Sequence, residues 1–129
     1  MQDFKDLRVW QHARVVAQSV YQYTREFPGT ERYGLVTQMR RAAVSVCANI
    51  AEGCGRRTRR DLLRFLYIAE GSACELECEV VLSGDLGYLD PEAQAKLESS
   101  IIAGKRMLGA LIRRVQRMAS SSGPPMTDH

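Results

Sequence analysis

Apolar residues recur along most of this chain at steps of three and four, the spacing at which side chains share one face of an α-helix. In the first stretch this spacing predicts an amphipathic helix over residues 6–26. Pro28 and Gly29 follow it, and proline both stops a helix and disfavours helical geometry in the residue before it. The predicted buried face of this first helix consists of Leu7, Trp10, Ala13, Ala17, Val20, Tyr21 and Thr24.

A second helix is predicted over residues 31–54, with Thr30 as its N-cap and the glycines near Cys54 as its end signal. Its apolar residues lie on nearly every side, whereas a bundle helix needs only one apolar face. We favour a second interface between copies of the chain as the reason; a helix placed deeply in a small core is the alternative. The residues concerned are Val36, Met39, Ala42, Ala43, Val44, Val46, Ile50 and Ala51.

Two further helices are predicted from capping signals. Thr58, with Asp61 three residues later, resembles a capping box and begins a helix over residues 59–86. Asp90 followed by Pro91 begins the last helix, over residues 91–118. Their expected buried stripes contain Leu62, Phe65, Leu66, Ala69, Ala73, Leu76, Val80 and Ser83, then Leu97, Ile101, Gly104, Leu108, Leu111, Val115 and Met118.

Four helices with short connections predict an all-α domain, an up-down-up-down antiparallel four-helix bundle over residues 1–119. The polar, proline-containing tail at residues 120–129 is expected to be disordered. The amino terminus lacks the apolar core of a signal peptide, and no apolar run approaches the roughly 20 residues of a membrane span. We therefore expect a cytoplasmic protein that makes no membrane contact.

Charge is distributed unevenly along the chain. Residues 38–64 hold seven arginines against two acids, a net charge of +5. Residues 65–100 hold one lysine against eight acids, a net −7, and residues 101–119 hold five basic residues and no acid. Arginine outnumbers lysine fifteen to three, which favours forked contacts to phosphate or carboxylate.

The predicted topology brings most of these arginines to one end of the bundle, where helices one and three begin and helices two and four end. Three interpretations stay open for them. They complement helix dipoles and aid solubility; they pair with acidic surfaces of neighbouring copies; or they bind the phosphate backbone of RNA or DNA. The candidate nucleic-acid-binding residues are Arg56, Arg57, Arg59, Arg60, Arg64, Arg113, Arg114 and Arg117.

Chemistry typical of an enzyme is missing from the sequence. The sequence offers no catalytic partner for His12 or His129. The acidic run at residues 70–79 lacks the Glu-x-x-His pairs of a di-iron bundle. The four cysteines are expected to be reduced, buried thiols that behave as small apolar residues rather than zinc ligands. Asn49 and Glu52 are expected to bond neighbouring helix ends or an arginine. We therefore expect a non-enzymatic protein without cofactor, metal or small-molecule substrate.

Three segments carry a resemblance to a known family: FKDLRVWQHA at residues 4–13, FPGTERYGLVTQMRRAAVSVCANIAEG at 27–53 and FLYIAEGSACELE at 65–77. They resemble the bacterial four-helix bundle proteins named after intervening sequences in 23S ribosomal RNA genes. The accessory variability protein of diversity-generating retroelements is similar. The resemblance implies a compact bundle, a ring-shaped homopentamer and binding of nucleic acid, with no catalytic set. The matching residues are Arg40, Arg41, Asn49, Glu52, Arg56 and Arg57.

The sequence as a whole thus predicts a homo-oligomeric bundle, expected to be a pentamer, that presents an arginine-rich end to RNA or DNA. The alternative is a structural or protein-binding module whose arginines contact neighbouring subunits or a partner protein without nucleic acid. Residues assigned to the oligomer interface or to structure are Arg40, Arg41, Val44, Asn49, Glu52, Gly71 and Ser72. Gly71 and Ser72 are included because small residues let another helix approach closely.

Overall fold

A computed structural model describes residues 3–119, and over this range the chain is helical, with no strand. Helix α1 spans Arg8–Thr24, α2 Leu35–Cys54, α3 Arg59–Asp85 and α4 Pro91–Ala119, with 3₁₀ turns at Phe4–Asp6 and Gly29–Glu31. The all-α, four-helix prediction is confirmed. The tail predicted to be disordered lies outside the described residues.

The helices contact one another in the cycle α1–α2–α3–α4–α1, so each helix occupies one corner of the bundle. Contacts between neighbours join the end of one helix to the start of the next. Gln116 near the end of α4 bonds Tyr67 near the start of α3, and Gly53 at the end of α2 lies against Leu62 of α3. These pairings run in opposite directions, as an up-down-up-down bundle requires.

The core has two halves. One half joins the start of α1, the end of α2, the start of α3 and the end of α4; the other joins the opposite ends of the four helices. Between them lies a narrow layer in which each helix contributes a small residue: Ala13, Ala43, Ala73 and Gly104. A cavity of about 30 Å³ remains in this layer. His12 lies beside it, with Nε2 2.7 Å from the Ser100 carbonyl oxygen.

Two predicted helix caps are present. Thr58 Oγ1 accepts a hydrogen bond from the Asp61 backbone N–H at 3.1 Å, and Asp90 Oδ1 accepts one from Ala93 N–H at 2.8 Å. Gly87 between α3 and α4 has a φ of +79°, which glycine adopts without the steric cost that a side chain brings. The α3–α4 junction is therefore built as its sequence predicts.

The predicted start of the second helix is wrong. Thr30 lies within the 3₁₀ turn and caps nothing, and α2 begins four residues after the expected position, at Leu35. Glu31 supplies the cap instead, because its Oε1 accepts the Leu35 N–H at 3.2 Å while its Oε2 accepts the Tyr88 hydroxyl at 3.0 Å. The carboxylate is thus fixed by a residue far away in the sequence.

The first helix begins at Arg8 rather than Asp6, because Asp3 caps a separate 3₁₀ turn by accepting the Lys5 N–H at 3.0 Å.

Most of the surplus apolar residues of α2 are buried or half-buried inside the bundle. Of the apolar residues on α2, Val44 and Ala48 are exposed. The deep-core alternative therefore explains most of that surplus.

No helix within residues 3–119 is both long enough and apolar enough to cross a membrane.

Candidate nucleic-acid interface

Four helix ends meet around one half of the core, and we call this end of the bundle the basic pole. Its core contains Val9 of α1, Cys54 of α2, Leu62 of α3 and Val115 of α4. The basic residues carried by these helix ends are Lys5, Arg8, Arg56, Arg57, Arg59, Arg60, Arg64, Arg113, Arg114 and Arg117. Residues far apart in the sequence are therefore gathered around one end by the packing of apolar faces.

Two of these arginines are held by the chain itself. Arg56 forms an ion pair with Glu52 one helical turn earlier, and its guanidinium lies 4.8 Å from the centre of the Phe65 ring. Arg64 lies 4.4 Å from the same ring and 3.8 Å from a carboxylate oxygen of Asp61. Cation–π contacts and local ion pairs orient both side chains around one aromatic ring.

Five other arginines of the basic pole have no carboxylate partner among the described residues. Within residues 3–119 the ion pairs are Lys5–Asp3, Arg56–Glu52, Arg64–Asp61 and Lys105–Glu77, while Arg59 and Arg117 have partners of their own. A charge without a local partner is hydrated and available to an anionic ligand. The exposed arginines in this position are Arg8, Arg57, Arg60, Arg113 and Arg114.

Two shallow grooves receive some of these side chains. One runs between the start of α1 and the end of α4, and Arg8, Arg114 and Arg117 line it together with Asp6 and Met107. The other lies along α3 and is lined by Arg60, Asp61, Leu63, Arg64, Tyr67 and Ile68. The basic pole therefore presents its arginines on two sides.

Tyr67 is the residue of this region that the sequence did not single out. The residue is 46% exposed, and its hydroxyl accepts a hydrogen bond from Gln116 Nε2 at 2.8 Å. An exposed aromatic ring beside arginines is a surface on which a nucleobase can stack. The only sequence signal for it is a tyrosine at a position where the helical period predicts exposure.

Arg40 and Arg41 are neighbours in the sequence but differ in their surroundings. Arg40 is directed towards α1, where it donates to Thr24 Oγ1 at 2.9 Å and to the Tyr21 carbonyl at 3.3 Å, and it stacks 4.5 Å from the Tyr21 ring centre. Arg40 therefore ties α2 to the end of α1. Arg41 is exposed and has no carboxylate within ion-pair distance among the described residues.

Asn49 bonds to a residue of its own helix, and Glu52 pairs with a residue just after the end of α2. Asn49 Nδ2 donates to the Ser45 carbonyl at 2.8 Å and to Ser45 Oγ at 3.0 Å, and Ser45 Oγ lies 2.8 Å from Ser72 Oγ on α3. Glu52 pairs with Arg56. These contacts give both residues a structural role between and along the helices.

Glu79 is a buried carboxylate in the acidic run of α3. The residue is 5% exposed, and its Oε1 has no hydrogen-bond partner. Burial, with a smaller contribution from the charge of Glu75, raises the pKa of Glu79 to about 7. On the same helix Glu77 lies towards α4 instead and accepts a 2.8 Å bond from Lys105, which raises the pKa of that lysine.

The cysteines divide into two classes. Cys54 is buried and Cys47 is half-buried, and burial raises the pKa of the Cys47 thiol. The expectation of buried thiols is wrong for Cys74 and Cys78, which lie on the exposed side of α3. Among the described residues no group of three or more His, Cys, Asp and Glu side chains is placed to hold a metal ion.

Comparison with known proteins adds a family and a fold. The model of the family described as "23S rRNA-intervening sequence protein" matches residues 5–110. No curated protein matches the chain significantly.

A solved structure is similar: a protein of unknown function from the S23 ribosomal protein family of Bacteroides thetaiotaomicron VPI-5482. The two share 21% sequence identity and superpose with a TM-score of 0.73 over 81% of this chain and 97% of the other. At that identity the likeness shows the fold alone.

Proposed function

The chain belongs to the 23S rRNA-intervening sequence protein family, and from that premise we propose that it is a non-enzymatic, self-associating bundle whose basic pole binds RNA or DNA. Binding is through the phosphate backbone, because the arginines sit on helix ends rather than on one helix that enters a groove. Such contacts recognise charge and shape, not sequence.

One observation carries this proposal: five exposed arginines without carboxylate partners, Arg8, Arg57, Arg60, Arg113 and Arg114, lie together at one end of the bundle. The other exposed arginines without an ion pair are distributed over the rest of the described chain: Arg14, Arg25, Arg32, Arg41 and Arg106. Release of condensed counterions from a polyanion favours binding to such a cluster. A homopentamer with aligned bundle axes, the assembly that the resemblance implies, would bring the poles of all copies to one surface.

Salt dependence of binding tests the proposal. Anisotropy of a labelled mixed-sequence RNA hairpin and of a duplex DNA is measured from about 50 to about 300 mM NaCl. Affinity should fall steeply with salt. The variant Arg57→Gln/Arg113→Gln/Arg114→Gln should flatten the log–log slope by about one unit for each arginine that contacts a phosphate.

A matched control removes the same charge elsewhere. Arg14→Gln/Arg25→Gln/Arg32→Gln changes three arginines that do not belong to the basic pole. It should weaken binding only through the change in net charge and keep the slope close to wild type. Equal slopes for the two triple variants, or no binding at the lowest salt, would overturn the nucleic-acid proposal.

A structural or protein-binding module is the second candidate function, and the surface of α3 favours it. That helix exposes Tyr67, Ile68, Val81 and Leu82. Exposed apolar side chains in this number on one helix mark a contact surface. A stable multimer that binds neither RNA nor DNA would support this candidate against the first.

A further inference from the structure

The outward side of α3 is unusually apolar for a surface helix. Between positions 67 and 82 its exposed residues include one charged side chain, Glu75. We call this surface the α3 face. It consists of Tyr67, Ile68, Gly71, Cys74, Glu75, Cys78, Val81 and Leu82. A solvated helix face normally carries polar residues at most of these positions.

Gly71 lies near the middle of the α3 face. A Cβ atom added there would meet nothing within 4 Å, so no contact inside the chain requires a glycine. Glycine in a helix interior costs about 1 kcal/mol relative to alanine. Its absence of a side chain leaves room for a neighbouring helix to approach closely.

The outward side of α2 carries a matching row of four residues, Arg41, Val44, Ala48 and Glu52. We call it the α2 row. Val44 is 46% exposed, and Arg41 carries a charge opposite to that of Glu75 on the α3 face. Both Arg41 and Glu75 lack an ion-pair partner within residues 3–119.

Residues of the α3 face and of the α2 row also lie at matching positions along the bundle axis. The bond between Ser45 and Ser72 sets these two residues at one level, and α2 and α3 run in opposite directions. Arg41 and Glu75 therefore lie towards the same end, about 6 Å and about 4.5 Å from that level at the helical rise. Ala48 and Ile68 lie at similar distances on the other side of it.

We propose that the α3 face packs against the α2 row of a second copy, with the two bundle axes parallel. Glu75 then lies opposite Arg41 of the second copy. Val44 of the second copy lies beside Gly71, and Ala48 of the second copy faces Ile68. A rotation about an axis parallel to the bundles leaves the position of each residue along that axis unchanged. Residues of the two copies that lie at the same position along the axis therefore meet.

The contact is head-to-tail, because the α3 face and the α2 row lie on different corners of one chain. In a pair of copies, one α3 face and one α2 row remain free to bind further copies. The assembly closes into a ring when the rotation between neighbouring copies divides a full turn evenly. All basic poles then point the same way. This inference rests on the self-association in the proposed function but not on nucleic-acid binding.

Exchange of charges tests the contact. Light scattering and analytical ultracentrifugation give the mass of the wild type, Glu75→Arg, Arg41→Glu and the double variant over a concentration series. Each single reversal places like charges together and should raise the concentration at half-assembly by about tenfold or more. The double variant should recover most of the wild-type assembly, because it restores the pair with inverted sign.

Two further variants separate packing from charge. Gly71→Ala should weaken assembly while leaving the isolated chain folded, since nothing inside the chain lies near the added methyl group. Val15→Glu is the control: Val15 is 57% exposed on α1, outside both surfaces, and its change should leave the mass unaltered. Circular dichroism checks that every variant remains helical.

Several results would overturn the contact: a monomeric wild type at micromolar concentration, a double variant no better than the single ones, or Glu75→Arg acting alone while Arg41→Glu is silent. The last outcome would mean that α3 pairs with some other surface. A charge-sensitive multimer without RNA or DNA binding would instead remove the nucleic-acid proposal and keep this contact.

Discussion

Glu79 is the side chain whose chemistry fits its surroundings least well. For a carboxyl group that is 5% exposed and has an oxygen without a partner, burial favours the protonated form, and its pKa is accordingly raised from 4.5 to about 7. In the sequence it is one of several acids in α3. The burial of Glu79 depends on the rotation of α3 about its own axis, which the composition of the acidic run does not determine.

This raised pKa predicts a pH-dependent stability. The folded chain keeps the Glu79 proton up to about pH 7, whereas the unfolded chain releases it near 4.5. The free energy of unfolding therefore falls as pH rises through this window and stays lower above it, by an amount on the order of 3 kcal/mol from this residue. Glu79→Gln should remove that loss, as measured by urea unfolding at about pH 4 and pH 8.

Glu75→Gln serves as the comparison, because it removes only the charge that adds to the shift. Glu75→Gln should reduce the loss of unfolding free energy between about pH 4 and about pH 8 rather than abolish it. If Glu79→Gln and the wild type keep parallel pH profiles between these two values, the carboxyl group is not held protonated by the fold.

At the scale of elements, the helices form where local signals and packing agree. The α3 helix has an N-cap, an apolar stripe and a glycine after its end, and its structure spans Arg59–Asp85, close to the expected 59–86. The α2 helix differs. Residue type predicts Thr30 as its cap, but Glu31 is the residue that Tyr88 holds in place, and Glu31 caps the helix.

The two threonines give a matched test of capping. Thr58→Ala removes the acceptor of the Asp61 N–H bond and should lower the free energy of unfolding by about 1 kcal/mol. Thr30→Ala removes no cap, and an exposed position of this kind should change stability by less than about 0.5 kcal/mol. Equal losses in denaturant unfolding would contradict the assignment of caps.

At the scale of the whole molecule, charge separates along the bundle axis. Five arginines without a carboxylate partner lie at the basic pole, while Asp85, Asp90 and Glu92 lie around the α3–α4 junction at the other end. Like charges at one end repel one another and oppose folding until salt or a ligand screens them. The arginine cluster that would bind a polyanion therefore destabilises the folded protein when no ligand is bound.

Stability should therefore rise with NaCl in the absence of nucleic acid. Between about 0.05 and 0.5 M the screening length shortens from more than 10 Å to less than 8 Å, so repulsion within the basic pole weakens. The melting temperature of the wild type should increase by about a few degrees. Differential scanning fluorimetry of Arg57→Gln/Arg113→Gln/Arg114→Gln should show a smaller rise, and a rise as large as that of the wild type would count against this repulsion.

The sequence by itself determined the four helices, their order and the end of the bundle at which the arginines of residues 56–64 and 113–117 lie. Helical period and capping act over a few residues, and short connections between helices force neighbours to run antiparallel. These properties are readable without knowing how the helices face one another.

Only the tertiary structure decided which arginines keep a partner, which acid is buried and which apolar residues stay outside. The surplus of α2 is mostly enclosed, while Tyr67, Ile68 and Leu82 of α3 are not. These outcomes depend on the rotation of each helix about its own axis, which the interlocking of side chains from different helices sets. No local pattern contains that information.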